Sequence, residues 1–161
     1  MPARSPNRIF PALAPFLLLI FLASLGIPDG ILPAAVQAPA ALSEAQDVNG
    51  AAGVVAEIVQ CKRDGGVLSI RMRLRNTGDK ELRVYWSGNH DLFYVTAGNK
   101  KYFVLRDSDK AALATATDSA PIAKGASYVW YAKYPAPPEE VKKVTFYTPL
   151  TAPFEDIPIT D

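Results

Sequence analysis

An alternation of apolar and polar residues between positions 67 and 75 is the clearest pattern in the chain. It predicts a β-strand that buries one face and exposes the other to solvent. A register shift of one residue would bury the arginines, so the orientation of this strand is fixed. The apolar positions are Leu68, Ile70, Met72 and Leu74, and the polar positions are Ser69, Arg71, Arg73 and Arg75.

Shorter apolar or alternating runs, separated by turn-forming Gly, Asn, Asp and Pro, predict further strands. Because no long helical pattern interrupts them, the chain is expected to be all-β. The spacing is typical of an antiparallel, immunoglobulin-like β-sandwich of about seven strands. Trp86 and Trp130 fall on the faces assigned to its core. The further strands are predicted at residues 54–62, 82–86, 92–96, 102–105, 128–134, 141–148 and 154–159.

Two of these runs have a predicted place in the sheets. Residues 102–105 are apolar on both faces, which predicts an interior strand that is covered on both sides. A short turn separates this run from residues 92–96, so the two are expected to form a hairpin. The run at 154–159 contains Pro158, which cannot donate a ladder hydrogen bond. It is therefore predicted to be an edge strand, to which an extended partner could add.

A basic and then apolar N-terminal segment precedes the predicted strands. Arg4 and Arg8 come before an apolar run at residues 16–25, as in a secretory signal. Residues 9–27 carry no charge and nearly reach the length of a bilayer span, so an uncleaved anchor is the alternative. We therefore interpret residues 1–38 as a signal peptide or N-terminal membrane anchor helix, 39–52 as a flexible linker and 53–161 as the folded domain. Either alternative predicts an exported domain that is periplasmic or secreted, or anchored to the inner membrane.

The charge of the domain argues against general polyanion binding. The chain has 161 residues and a formal net charge of +1. Without residues 1–38 it loses Arg4, Arg8 and Asp29, which leaves 15 basic and 15 acidic side chains. A neutral domain has no overall attraction to nucleic acid or anionic membranes. No nucleic-acid partner is expected, and membrane contact is expected only through the N-terminal segment.

The residues that most often carry catalysis are few. His90 is the only histidine and Cys61 the only cysteine, so an internal disulfide and a multi-cysteine metal cluster are excluded. A catalytic triad needs a nucleophile, a base and an orienting group held together, and no motif supplies them. We expect no enzymatic activity and no cofactor. His90 is interpreted as a loop histidine, and Cys61 as a buried small side chain rather than a reactive thiol.

Five charged residues are the candidates for an interaction surface. Arg71, Arg73 and Arg75 form a basic stripe that could meet an acidic partner or lipid phosphate; the alternative is a solvated face paired with carboxylates such as Glu57. Asp107 and Asp109 begin the long segment at 107–120, in which residues 110–115 are predicted to form a short helical turn. Oxygen ligands at alternate positions can bind Ca²⁺, but turn and cap chemistry also explains them.

Several pieces of the sequence resemble bacterial immunoglobulin-like modules of exported proteins. They are the alternating strand that ends in Asn76-Thr77-Gly78-Asp79, the run 122–127 before an aromatic strand, and residues 100–109 and 154–159. The resemblance covers residues 54–159 and implies the sandwich fold, with no catalytic residues. The expected function is that of a non-enzymatic envelope protein, an interaction module for an unknown envelope protein or cell-surface component. The alternative is a ligand- or calcium-binding module that uses the loop at 107–120.

Overall fold

A computed structural model of the protein describes residues 38–115 and 118–161. In this part of the chain every strand pairing within the sheets is antiparallel, and a single 3-10 turn at His90–Leu92 is the only helical element. The all-β prediction is therefore confirmed. The predicted signal or anchor lies outside the described residues. The strands are β1 Gln46–Asp47, β2 Val54–Asp64, β3 Val67–Asn76, β4 Leu82–Tyr85, β5 Tyr94–Ala97, β6 Lys100–Phe103, β7 Ser119–Ile122, β8 Ser127–Pro135, β9 Lys143–Tyr147 and β10 Phe154–Pro158.

The described strands form two four-stranded sheets and one two-stranded sheet. We call the sheet with strand order β1-β2-β3-β8 sheet A and the sheet with order β10-β9-β5-β6 sheet C, while β4 pairs with β7. Their buried faces meet through aromatic rings: Trp130 of β8 stacks on Phe146 of β9 with ring centroids 5.8 Å apart. Phe146 also contacts Tyr134 and Phe154. This aromatic cluster joins sheet A to sheet C.

The alternating strand predicted at 67–75 is β3, and it lies between β2 and β8. Its four apolar side chains are fully buried, as the pattern predicts. Trp86 and Trp130 are buried as well, at 6% and 1% exposure. Register in sheet A is thus set by the two-residue period of β3.

The prediction of an interior strand at 102–105 is wrong. β6 is the outermost strand of sheet C, and only one of its faces is covered. Tyr102 and Val104 are each 6% exposed, whereas Phe103 is 48% exposed. The outer apolar side chain packs against a tyrosine on the neighbouring strand, since the Phe103 and Tyr94 rings lie 6.1 Å apart. The outer face of β6 is therefore apolar because Phe103 packs against Tyr94 there, and not because another layer of the fold covers it.

Much of the segment expected to be a linker, residues 39–52, belongs to the folded domain. The Leu42 N–H donates to the Ile58 carbonyl at 2.6 Å, and β1 pairs with β2. Val48 and Ala51 are buried against the core. The composition of this segment predicts a flexible linker. In the structure its backbone pairs with the edge of β2, and its widely spaced apolar side chains pack against the core.

The helical turn predicted at residues 110–115 does not form. Ala112 and Ala114 instead make isolated β-bridges, and Leu113 accepts a hydrogen bond from Lys133 on β8. A single helical turn leaves most of its backbone N–H and C=O groups without partners. The edge of β8 that faces away from β3 supplies partners for these groups, so the segment is extended and pairs with β8. Farther along, β7 pairs with β4 in the small sheet.

None of the helical structure in residues 38–115 and 118–161 is long and apolar enough to cross a membrane.

Candidate functional site

Two of the three arginines of the basic stripe share one carboxylate partner. Arg73 donates through Nε to Glu57 Oε1 at 2.8 Å, and Arg75 Nε lies 3.4 Å from the same oxygen. Glu57 is only 6% exposed because the two arginines cover it. The pairing of the stripe with Glu57 is therefore confirmed for these two residues.

Glu57 is held in its ionised form by this arrangement. Burial raises the pKa of the carboxyl, but the hydrogen bond and charge of Arg73, with the charge of Arg75, outweigh burial and lower the pKa below 4.5. A carboxyl with a lowered folded-state pKa stabilises the fold above its unfolded pKa. That contribution is lost as the pH falls through the folded value.

We expect the substitution Glu57→Gln to lower the free energy of unfolding by about 1–3 kcal/mol at pH 7. The loss arises because Arg73, with a side chain 16% exposed, would keep its burial without its charged partner. Below the folded pKa of Glu57 the wild type loses the same ion pair, so the difference should shrink. Urea unfolding of both proteins at a series of pH values from 7 downwards tests this; a difference that stays constant as the wild type loses stability in acid would contradict the assigned ion pair.

Arg71 has a different environment from its two neighbours on β3. Among the described residues no carboxylate oxygen lies within 4.0 Å of its guanidinium. It pairs in register with Gln60 of β2 and with Tyr131 of β8, and both strands present these residues on the outer face. The stripe thus divides into two arginines that share Glu57 and one arginine, Arg71, without a carboxylate partner among the described residues.

The carboxylate of Asp107 is occupied by the turn that it begins. Its Oδ1 accepts hydrogen bonds from the N–H groups of Asp109 and Ala111, both at 2.9 Å. The interpretation of this motif as turn chemistry is confirmed. In residues 38–115 and 118–161 no three His, Cys, Asp or Glu side chains are grouped to hold a metal ion.

His90 lies in the 3-10 turn, as expected for a loop histidine. Its Nε2 is 3.3 Å from the carbonyl oxygen of Thr115, so the ring ties this turn to the segment beside β8. The turn itself is capped by Asn89, whose Oδ1 accepts from the Asp91 N–H at 3.0 Å. These contacts account for the position of His90 in the fold.

Cys61 is fully buried on β2, which bears out its interpretation as a small core side chain. Burial raises the pKa of its thiol to about 12, against a smaller opposing effect of Arg63. Only the thiolate reacts with disulfide reagents, so both access and ionisation protect the native sulfur.

We therefore expect Cys61 in the native protein to react at least about 100-fold more slowly than in the unfolded chain at pH 8. The release of thionitrobenzoate from Ellman's reagent, with and without urea, measures the two rates. Similar rates in both conditions would show that the thiol is accessible in the native fold.

An aromatic row that sequence analysis did not identify lies on the outer face of sheet C. Tyr94 of β5 pairs in register with Phe103 of β6 on one side and with Tyr147 of β9 on the other. The rings of Tyr94 and Tyr147 are stacked with centroids 4.6 Å apart. Lys101 places its Nζ 4.4 Å from the centroid of the Tyr94 ring. We call Phe103, Tyr94 and Tyr147 the aromatic row.

Among residues 38–115 and 118–161, no strand pairs with the outer backbone edge of β6 beside this row. β5 and β6 are joined by Gly98 and Asn99, and Gly98 has a positive φ of 59°, as the first position of a type II′ turn requires. In such a hairpin the residues that flank the turn form a hydrogen-bonded pair, and bonding then alternates. The N–H and C=O groups of Lys101 and Phe103 therefore point away from β5.

The predicted edge at residues 154–159 is observed as β10, but it is irregular. Its pairing with β9 shifts register between Phe154 and Ile157, and Asp156 has a positive φ of 52°. Beyond Pro158, the chain is bonded to β2, where the Thr160 N–H donates to the Cys61 carbonyl. β6 is the more regular of the two outer strands of sheet C. The bulge and Pro158 make the edge of β10 less suited to pairing with another strand.

A scan against protein-family models finds no match, and searches of the curated proteins and of the solved structures likewise return no match.

Proposed function

We propose that this protein is a non-enzymatic, exported interaction module with an immunoglobulin-like β-sandwich, and that it binds an extended polypeptide at the edge of β6. The proposal is supported by the basic and apolar N-terminal sequence and by two antiparallel four-stranded sheets joined through one aromatic cluster. The partner is an envelope protein or a cell-surface polypeptide.

The observation that carries the proposal is an open strand edge beside an exposed phenylalanine and two half-buried tyrosines. Lys101 and Phe103 direct backbone donors and acceptors outward, and a partner strand can pair with such groups. Phe103 is 48% exposed at the same edge. Backbone pairing supplies affinity and side-chain contacts supply selectivity, and β6 offers both.

The side chains of β6 indicate the chemistry of the partner. Every second residue of an added strand would lie on the outer face, next to Phe103 and Lys101. An apolar or aromatic residue opposite Phe103 would extend the aromatic row. Lys100 and Lys101 are both exposed, so carboxylates on the partner are favoured. We infer an acidic segment with alternating apolar residues.

A photo-crosslinking amino acid at position 103 tests this proposal in cells. We expect adducts from position 103 and none from position 85, since Tyr85 is 69% exposed but lies on β4 outside sheet C. The second variant, Lys101→Pro, removes an outward N–H without removing a bond between β5 and β6. We expect it to abolish the adducts while the protein remains folded.

The control for proline is Glu155→Pro on β10, which should leave the adducts from position 103 unchanged. Thermal melting of each variant establishes that it folds. Equal adducts from positions 103 and 85, or adducts that persist in folded Lys101→Pro, would contradict binding at the β6 edge.

The calcium-binding alternative for the loop at 107–120 has less support. The Asp107 carboxylate already accepts two backbone hydrogen bonds, which a metal ion would have to displace. A thermal melt in millimolar calcium distinguishes the two proposals. A rise in the melting temperature that Asp107→Asn abolishes would favour the loop, and an unchanged melt favours β6.

A further inference from the structure

A second surface, on the outer face of sheet A, contains cations that no carboxylate neutralises. In residues 38–115 and 118–161, no Asp or Glu oxygen lies within 4.0 Å of the charged groups of Lys62, Arg71 or Lys133. Arg73 and Arg75 on the same face are held by Glu57, as described above. The cations without a carboxylate partner are therefore gathered in one part of the face, beside the group of Arg73, Arg75 and Glu57 with its net charge of +1.

The register of three strands gathers these cations around one hydroxyl. Ser69 of β3 pairs with Lys62 of β2 on one side and with Lys133 of β8 on the other. Opposed Cβ atoms on one face of an antiparallel sheet lie about 4.5–5.5 Å apart. Arg71 follows two residues later on β3 and shares that face. A short side chain is thus surrounded by long cationic ones.

A shallow depression lies at Ser69, where this short side chain stands between longer cationic ones. It has a volume of about 270 Å³. Its polar side chains are an amide, two hydroxyls, a guanidinium and an ammonium group, all of which can donate hydrogen bonds. The lining residues are Gln60, Ser69, Ile70, Arg71, Tyr131 and Lys133. A lining with cations and no carboxylate favours an anion.

The carboxylates closest by register stand outside this lining. Asp64 lies two residues beyond Lys62 on β2 and pairs with Val67. Glu57 lies on the other side of the depression, where Arg73 and Arg75 hold it. Neither side chain lines the depression.

We infer that this depression binds a single phosphate group, either free or as a monoester of a larger molecule. The two oxygens of a carboxylate lie in one plane, and two parallel N–H groups of a single arginine guanidinium can bind both of them. A tetrahedral dianion accepts hydrogen bonds from several sides and carries charge to match Arg71 and Lys133 of the lining, while Lys62 lies beside the depression as the register partner of Ser69. The site lies on sheet A and does not depend on the proposed binding at β6.

An NMR titration of the full chain with inorganic phosphate at low ionic strength tests this site. We expect saturable amide shifts at Ser69, Arg71, Tyr131 and Lys133, and affinity for acetate at least about fivefold lower. Arg71→Gln and Lys133→Gln should each lower phosphate affinity at least about fivefold. The matched control is Lys124→Gln, because Lys124 is exposed in a turn away from this face; it should leave the affinity unchanged.

A second arm distinguishes the sources of the phosphate. Glycerol phosphate represents a soluble monoester, and phosphatidylcholine vesicles containing phosphatidic acid represent a lipid headgroup. The apolar N-terminal segment can bind any vesicle, so the comparison is between wild type and Arg71→Gln. A loss of affinity for either ligand in Arg71→Gln supports the site and identifies the source. The absence of saturable shifts, an equal response to acetate, or equal weakening by Lys124→Gln overturns the inference.

Discussion

Replacing Phe146 by alanine is expected to lower the free energy of unfolding by about 3–5 kcal/mol. Phe146 is fully buried, and its ring lies 5.8 Å from Trp130, 6.4 Å from Tyr134 and 6.3 Å from Phe154. The substitution removes ring contacts between sheet A and sheet C and leaves a cavity that fixed aromatic neighbours cannot fill. Since domains of this size are stable by about 5–15 kcal/mol, the loss would be a large share of the total.

Urea unfolding followed by tryptophan fluorescence measures this loss. The matched control is Phe103→Ala, which removes the same ring from a position that is 48% exposed. We expect the control to change the free energy of unfolding by no more than about 1 kcal/mol. Equal losses for the two variants would show that Phe146 does not lie at the centre of the core.

The second large effect is expected at Asn76, which ends β3 and is 1% exposed. Its Nδ2 donates to the carbonyls of Lys80 and Ile122, both at 2.8 Å, and its Oδ1 accepts from the Gly78 N–H at 2.9 Å. The side chain therefore joins the turn after β3 to the end of β7. Asn76→Ala would leave these groups without partners, and we expect a loss of about 2–4 kcal/mol.

Thr77→Ala is the control for Asn76, since the neighbouring Thr77 is exposed and its hydroxyl makes one bond, to the Gly53 carbonyl. It should lower stability by less than about 1 kcal/mol. The two variants are compared by thermal melting and urea unfolding. A loss at Asn76 no larger than at Thr77 would contradict the bridging role of the amide.

Periodicity was sufficient to predict the strands of the core. In β3 the alternation of apolar and polar side chains separates the two faces, and burial follows it closely. It was not sufficient for β6, because a phenylalanine that packs on a surface tyrosine has the same sequence signature as one inside a core. The segment before β2 was misjudged for the opposite reason. Its apolar residues are few and widely spaced and form no periodic pattern, although the segment pairs with the edge of β2.

The candidate sites depended on contacts between strands that are distant in sequence. The aromatic row requires β5, β6 and β9 in one register, and the depression at Ser69 requires β2, β3 and β8. No local pattern encodes these pairings. The arginine stripe was visible in the sequence, but which arginines would pair with Glu57 depended on the pairing of β2 with β3, including its irregularity between Ile58 and Gln60.

The proposed function depends most directly on the open edge of β6. Amide hydrogen exchange of the free protein, followed residue by residue by NMR, measures whether that edge is covered. We expect the Lys101 and Phe103 amides to exchange at least about 100-fold faster than the Tyr102 amide, which is bonded to β5. Equal protection of the three amides would show that another part of the protein already covers the edge, and would contradict strand addition at β6.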